Sequence, residues 1–399
     1  MTAKGMMPYV KGNSAIRAMF EEGARLAEKY GKENVYDFSL GNPSVPAPGE
    51  VNRAIKNILD EEDTLEVHGY NRSNSGHEDV RQTVASHINR MHGTDLGSDN
   101  IIMTVGAAGG LNVAMKTLLD PGEEILAFAP YFVEYGNYAA NHGAVLKAIT
   151  PNTETFLPNL SGLRENIGPK TRAVIINSPN NPTGVVYSED TLRQMAAILE
   201  EKQREFDTEI YIISDEPYRE LVYDGVKVPY VTKYYDNTIV AYSWSKSLSL
   251  PGERIGYLVI PSEIHDFENA VQAANIANRV LGFVNAPSLI QRAVARCIDC
   301  TADIETYDRN RKTLYEGLTG AGYECVYPGG AFYLWVKSPI DDEREFCAKA
   351  KEHNILVVPG RSFACPGYVR IAYCVAYDTI VNSIPGFTKL MEEIKGDLA

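Results

Sequence analysis

Long apolar runs are missing from this 399-residue chain. No stretch approaches the roughly eighteen consecutive apolar residues a membrane helix needs, and Met1–Gly12 has no hydrophobic segment of the kind found in a secretory leader. We therefore expect no membrane partner and a cytoplasmic location. Positive charge is also scarce: 38 Lys and Arg against 52 Asp and Glu leave a net charge of −14, with no basic block. A nucleic-acid backbone would be repelled, so nucleic acid is not expected as the main partner. Six cysteines are too few for a disulfide framework. Cys297 and Cys300 form one C-x-x-C pair, but Cys325, Cys347, Cys365 and Cys374 do not supply the second pair that zinc would need, and the seven histidines make no H-E-x-x-H. The cysteines read as reduced thiols, and no metal is expected.

What is present is ordinary globular material, 44% hydrophobic and 23% charged, in a chain too long for one core to serve easily. A large domain plus a smaller one is expected. Apolar positions at helical spacing predict helices over Ser14–Tyr30 and Glu50–Leu59. Short apolar runs then follow at Ile101–Thr104, Glu124–Phe128, Val145–Ile149, Arg172–Ile176, Ile210–Ser214, Thr238–Tyr242 and Ile255–Ile260, with helical patterns such as Leu111–Leu119 and Glu189–Lys202 between them. That alternation predicts crossover units and a mainly parallel sheet of seven strands in an α/β fold. Beyond Asn285 the order is more mixed, with helical segments over Ser288–Thr306 and Glu343–His353 and short strands near Ala331–Val336 and Val369–Ala372. This reads as the smaller, α+β domain.

Parallel sheets bind ligands beyond the carboxyl ends of their strands, so the residues after each run carry the most information. After Ile101–Thr104 comes Gly106-Ala107-Ala108-Gly109-Gly110, whose small side chains leave backbone N–H groups open to an anion. It is neither G-x-G-x-x-G nor G-x-x-x-x-G-K-[ST], which argues against dinucleotides and nucleoside triphosphates. After Arg172–Ile176 comes Asn177-Ser178-Pro179-Asn180-Asn181-Pro182-Thr183-Gly184, a rigid turn that can point an amide into the crevice. After Ile210–Ser214 comes Asp215-Glu216-Pro217-Tyr218, placing a carboxylate at the rim. After Thr238–Tyr242 comes Ser243-Trp244-Ser245-Lys246, with Arg254 further on. A lysine among apolar neighbours loses its proton more easily and can attack an aldehyde. An anion seat, an amide, a carboxylate, an amine and a second cation are the set that pyridoxal phosphate requires.

With Asn181-Pro182-Thr183-Gly184, Asp215-x-x-Tyr218 and Ser243-x-Ser245-Lys246 plus Arg254 in this order, the chain resembles the class I and II aminotransferases, fold type I pyridoxal phosphate enzymes related to aspartate aminotransferase. The resemblance runs from about Gly41 to Arg370. It implies a large pyridoxal-phosphate-binding domain over 46–287, a small domain over 288–399, and a segment 1–45 joining the latter. It implies Lys246 as the Schiff-base lysine, Asp215 as partner of the pyridine N–H, and Asn181 and Tyr218 as donors to the ring oxygen. Gly106, Ala107, Ala108, Ser243, Ser245 and Arg254 would hold the phosphate, and Phe132 would stack on the ring. Tyr70 would reach the phosphate from the neighbouring subunit of a homodimer. Arg370 would clamp the substrate carboxylate beside Gly41.

The implied reaction moves an amino group between an L-amino acid and a 2-oxo acid in alternating half-reactions, with aspartate and 2-oxoglutarate as candidate substrates. One aspartate-specific subgroup carries a lysine where Ala108 stands here, so a side-chain carboxylate would need another cation. Arg279, offset by about one residue from another subgroup's arginine, is the candidate, and Arg72 its rival. Alternatives are transfer from aromatic or other neutral amino acids, and a carbon–sulfur β-lyase using the same cofactor set. A decarboxylase would have less use for Arg370. A cofactor-sensing DNA-binding regulator would need a helix-turn-helix ahead of Gly41, and the roughly 40 residues there show none.

Overall fold

All seven apolar runs enter one sheet, in the order Ile101–Thr104, Gly256–Val259, Thr238–Ser243, Tyr211–Asp215, Thr171–Asn177, Glu124–Phe128, Val145–Ile149 from edge to edge. This computed structural model describes residues 2–11 and 15–398. The four pairings from Thr238–Ser243 to Val145–Ile149 are parallel, and the two made by Gly256–Val259 are antiparallel, so the large sheet is mixed. Its central strands are apolar on successive residues because each face is covered: Val240 and Tyr242 enter one core cluster, Ile239 and Ala241 another on the opposite face.

The small sheet is antiparallel, in the order Val358–Pro359, Tyr368–Ala372, Tyr333–Lys337, Cys325–Val326. Helices Ile304–Ala321 and Tyr377–Leu398 supply Leu314, Ile380 and Phe387 to the core that also holds Phe332 and Phe346. Tyr36–Asp37 pairs in parallel with Ile355–Leu356, which ties the early chain to this C-terminal unit.

Two expectations are corrected. The pattern read as one helical segment over Ser288–Thr306 is two helices, Ser288–Arg296 and Ile304–Ala321, because the Asp303 side chain accepts from the Thr306 N–H and starts a new helix. The helix predicted at Leu111–Leu119 begins at Gly106, so the small-residue run forms its first turns. The first long helix is Ala15–Tyr30, with Ser14 outside the described residues. Among the described residues no helix is long and apolar enough to cross a membrane, no cluster suits a metal ion, and all six cysteines are free.

Candidate active site

Three central strands of the large sheet end on the same rim, and each delivers a polar group there. Asp215 is the last residue of its strand and is buried. The Tyr135 hydroxyl donates to its Oδ2 at 2.6 Å, while Oδ1 is buried without a partner. Burial outweighs the Tyr135 bond and pushes the Asp215 carboxyl up to about 7. Asn177, ending the adjacent strand, donates from Nδ2 to the Asp215 carbonyl at 2.7 Å and accepts the Asn181 N–H on Oδ1 at 2.7 Å. One side chain thus fixes the strand pair and the start of the next loop. That loop is held further by Asn180 Oδ1, which accepts from the Thr183 N–H and hydroxyl. Gly184 closes it at φ +71°, where a Cβ would overlap Pro328.

Lys246 lies in the short helical turn Trp244–Ser247 after the third strand. Its Nζ donates to the Gly41 carbonyl at 2.7 Å and lies 5.2 Å from the Phe332 ring centroid. Desolvation, with lesser repulsion from Arg370 and Arg254, lowers its ammonium to about 8, so an appreciable neutral fraction exists near neutrality. A neutral amine facing the cavity can act as a nucleophile and as a base.

Arg370, only 2% exposed, projects from the middle of Tyr368–Ala372. It donates from Nη2 to the Ser39 carbonyl at 2.6 Å and from Nη1 to Asn181 Oδ1 at 3.1 Å, while Nε is buried without a partner. Its guanidinium lies between the Tyr333 and Phe363 rings, 4.5 and 4.9 Å from their centroids. Because Asn181 Oδ1 accepts from Arg370, the amide nitrogen is left as the donor. The Tyr218 and Tyr333 hydroxyls are 2.9 Å apart. Gly41 faces Tyr333 so closely that any Cβ would overlap its hydroxyl.

At the other end, Gly106 opens helix Gly106–Leu118 at φ +69°, and a Cβ there would come 2.8 Å from Arg254 Nη2. Glycine lets Arg254 approach the uncommitted N–H groups of the first helical turn, an arrangement suited to an anion. The Ser243 hydroxyl donates to Ser245 Oγ at 3.1 Å beside them. Ala107, Ala108, Phe132, Asn181, Asp215, Tyr218, Ser243, Ser245, Lys246, Arg254, Arg370 and Gly41 all line one cavity of about 260 Å³.

Two predicted residues are elsewhere in this chain. Tyr70 is 91% exposed in a separate polar groove with Arg72 and Arg292, and Arg72 pairs with Glu66 at 3.1 Å. Arg279 is exposed near the end of helix Phe267–Val280. Conversely, Tyr135, Tyr138, Leu40 and Tyr333 belong to the site and escaped the sequence reading.

An unpartnered buried carboxylate oxygen, a partly neutral lysine and an anion seat at the helix start fit pyridoxal phosphate, and together with the mixed α/β sheet they define a fold type I enzyme of that cofactor. Residues 33–381 match the aminotransferase class I and II family, whose members use pyridoxal phosphate, and the chain belongs to it. A solved aminotransferase from Eubacterium rectale is 48% identical, covers 98% of this chain and 99% of its own, and superposes with a TM-score of 0.96. The aspartate/prephenate aminotransferase of Thermus thermophilus is 30% identical over 88% of this chain and 90% of its own. Aromatic-amino-acid aminotransferase 2 of Thermococcus litoralis is 29% identical over 96% of each. Relatives named for different amino donors thus stand at nearly equal distance. The protein is an aminotransferase.

Proposed function

We propose that the protein transfers the amino group of an L-amino acid to a 2-oxo acid in two alternating half-reactions at this cavity. The observation that carries the reading is the meeting of Lys246 and Arg370 beside the unpartnered Asp215 oxygen. Pyridoxal phosphate, when bound, supplies an aldehyde that takes up amines and a protonated pyridine ring that accepts electron density from the substrate Cα. Asp215 would hold the proton of the ring nitrogen, since Tyr135 occupies Oδ2 and Oδ1 is left without a partner. Asn181 and Tyr218 would donate to the ring oxygen and Phe132 would pack on the ring; Ala107, Ala108, Ser243, Ser245 and Arg254, with Gly106 at the helix start, would hold the phosphate. Arg370 would orient the α-carboxylate; the space that Gly41 was expected to leave for it is taken by the Tyr333 hydroxyl. Lys246 Nζ would take up the substrate's Cα proton and hold it for return beyond the amino nitrogen. Tyr70 completes the phosphate site of the neighbouring subunit in a cytoplasmic homodimer.

For the substrate side chain, aspartate and 2-oxoglutarate remain one reading, and it requires a cation such as Arg279 or Arg72 from the neighbouring subunit. The lining favours a second reading. Lys246, Arg254 and Arg370 are the cations of the cavity, whereas Leu40, Phe132 and Tyr138 supply apolar and aromatic surface for a neutral or aromatic side chain. Single amino acids added to the cofactor-loaded enzyme without any oxo acid should convert the visible band to that of the amine form, with one equivalent of oxo acid released. A band that persists while pyruvate accumulates overturns the reading in favour of a β-lyase. Comparison of aspartate with phenylalanine ranks the two substrate readings.

A further inference from the structure

Tyr333 is 2% exposed, yet it touches groups from both sheets. It stands on the small sheet, paired with Ala372, while Tyr218 belongs to the loop after Tyr211–Asp215 of the large sheet. Its hydroxyl is 2.9 Å from that of Tyr218, its ring covers the Arg370 guanidinium, and its hydroxyl fills the space that Gly41 leaves. Gly41 in turn accepts from Lys246.

A tyrosine hydroxyl has one proton. If Tyr218 gives its proton to the cofactor's ring oxygen, the 2.9 Å contact survives as a hydrogen bond only with Tyr333 as donor. A donor into the Tyr218 oxygen makes the Tyr218 proton a stronger donor in turn, since hydrogen bonds in a chain polarise one another. We propose that Tyr333 is a positioning residue that links the carboxylate clamp to the cofactor's ring oxygen: its hydroxyl orients and strengthens the Tyr218 donor, and its ring braces Arg370. This rests on the pyridoxal phosphate reading above. The charged and titratable groups around the pair are Asp215, Tyr135 and Lys246 beside the large sheet and Arg370 and Cys374 from the C-terminal unit, and Tyr218 is the hydrogen-bond partner of the Tyr333 hydroxyl.

The test uses the cofactor-loaded enzyme with Tyr333→Phe and Tyr333→Leu, read by pH titration of the visible band and by separate KM and kcat. A weaker donor leaves more negative charge on the ring oxygen, which holds the neighbouring nitrogen's proton more tightly. Tyr333→Phe should therefore raise the titration midpoint by about half to one pH unit, the size expected for loss of one hydrogen bond, with KM for the amino acid little changed. Tyr333→Leu should add a rise in KM of about tenfold through loss of the ring over Arg370. A midpoint in Tyr333→Phe equal to the parent's, in protein that binds the cofactor, overturns the proposal while leaving the cofactor reading intact. If the parent itself shows no visible band with pyridoxal phosphate, the cofactor reading fails and the proposal with it.

Discussion

The two sheets meet at one cavity but build their parts of it differently. On the large sheet the polar groups stand at strand ends or just beyond them: Asp215 closes a strand, Asn181 lies in the loop after Asn177, and Lys246 follows Ser243 in a short turn. On the small sheet Arg370 sits mid-strand, in register with Trp335, and Tyr333 opens the neighbouring antiparallel strand, paired with Ala372. Strand-end turns take unusual residues without disturbing a ladder, so several different groups can be gathered there. Mid-strand residues are aimed by register, and their neighbours' rings then fix them, as Tyr333 and Phe363 do for Arg370. In the proposed reading the large sheet holds the cofactor and the small sheet presents one rigid fork to a carboxylate.

Breaking the large-sheet half should abolish chemistry. Lys246→Ala is expected to lower kcat by about 10³-fold or more, read in single-turnover transamination, because nucleophile and base are lost together. Asp215→Asn removes the ionised partner of the pyridine nitrogen and should cost about 10²-fold in kcat. Breaking the small-sheet half should instead weaken binding. Arg370→Lys replaces a planar fork by a point charge, so KM for the amino acid should rise about tenfold or more with the cofactor's absorption unchanged. Loss of the visible band in that variant would erase the division of labour. Gly41→Ala forces Tyr333 away from its place, and a several-fold rise in KM is expected.

The smallest effect concerns stability. Burial raises the Asp215 carboxyl to about 7 in the cofactor-free protein, so the neutral acid is the form that suits the fold. A raised carboxyl contributes stability that is fully present below its unfolded value near 4 and is lost as pH rises through about 7. An amide in its place carries no charge at any pH, so Asp215→Asn should raise the Tm of cofactor-free protein by a few degrees at pH 8 and by nothing near pH 4, as read by calorimetry. A residue whose loss lowers activity about 10²-fold would then be one that the empty fold holds at a disadvantage.

The contrast between the sheets also explains what could be read from the sequence. Asp215 follows its apolar run directly and Asn181 and Lys246 stand within five residues of theirs, so the strand pattern put them near one rim, while likeness to a known family supplied their roles. Arg370 sits inside a short strand in a mixed region, and only likeness to a known family singled it out. Tyr333 and Tyr135 gave no local signal of their partners, because the contacts that define them, to Tyr218 and Asp215, span 115 and 80 residues. The helix break at Asp303 was hidden by apolar residues that keep a helical rhythm on either side of it. Tyr70 and Arg279 lie outside this chain's own cavity, and a second copy of the chain would have to bring them to a site.

The central claim is that Lys246 carries the cofactor. Borohydride reduction of the pyridoxal-phosphate-loaded enzyme, followed by digestion and mass spectrometry, tests it most directly. A single stable pyridoxyl-phosphate adduct is expected on the peptide containing Ser243–Lys246, absent when the enzyme is first converted by an amino donor. An adduct on another lysine, or none in protein that shows the visible band, would contradict it.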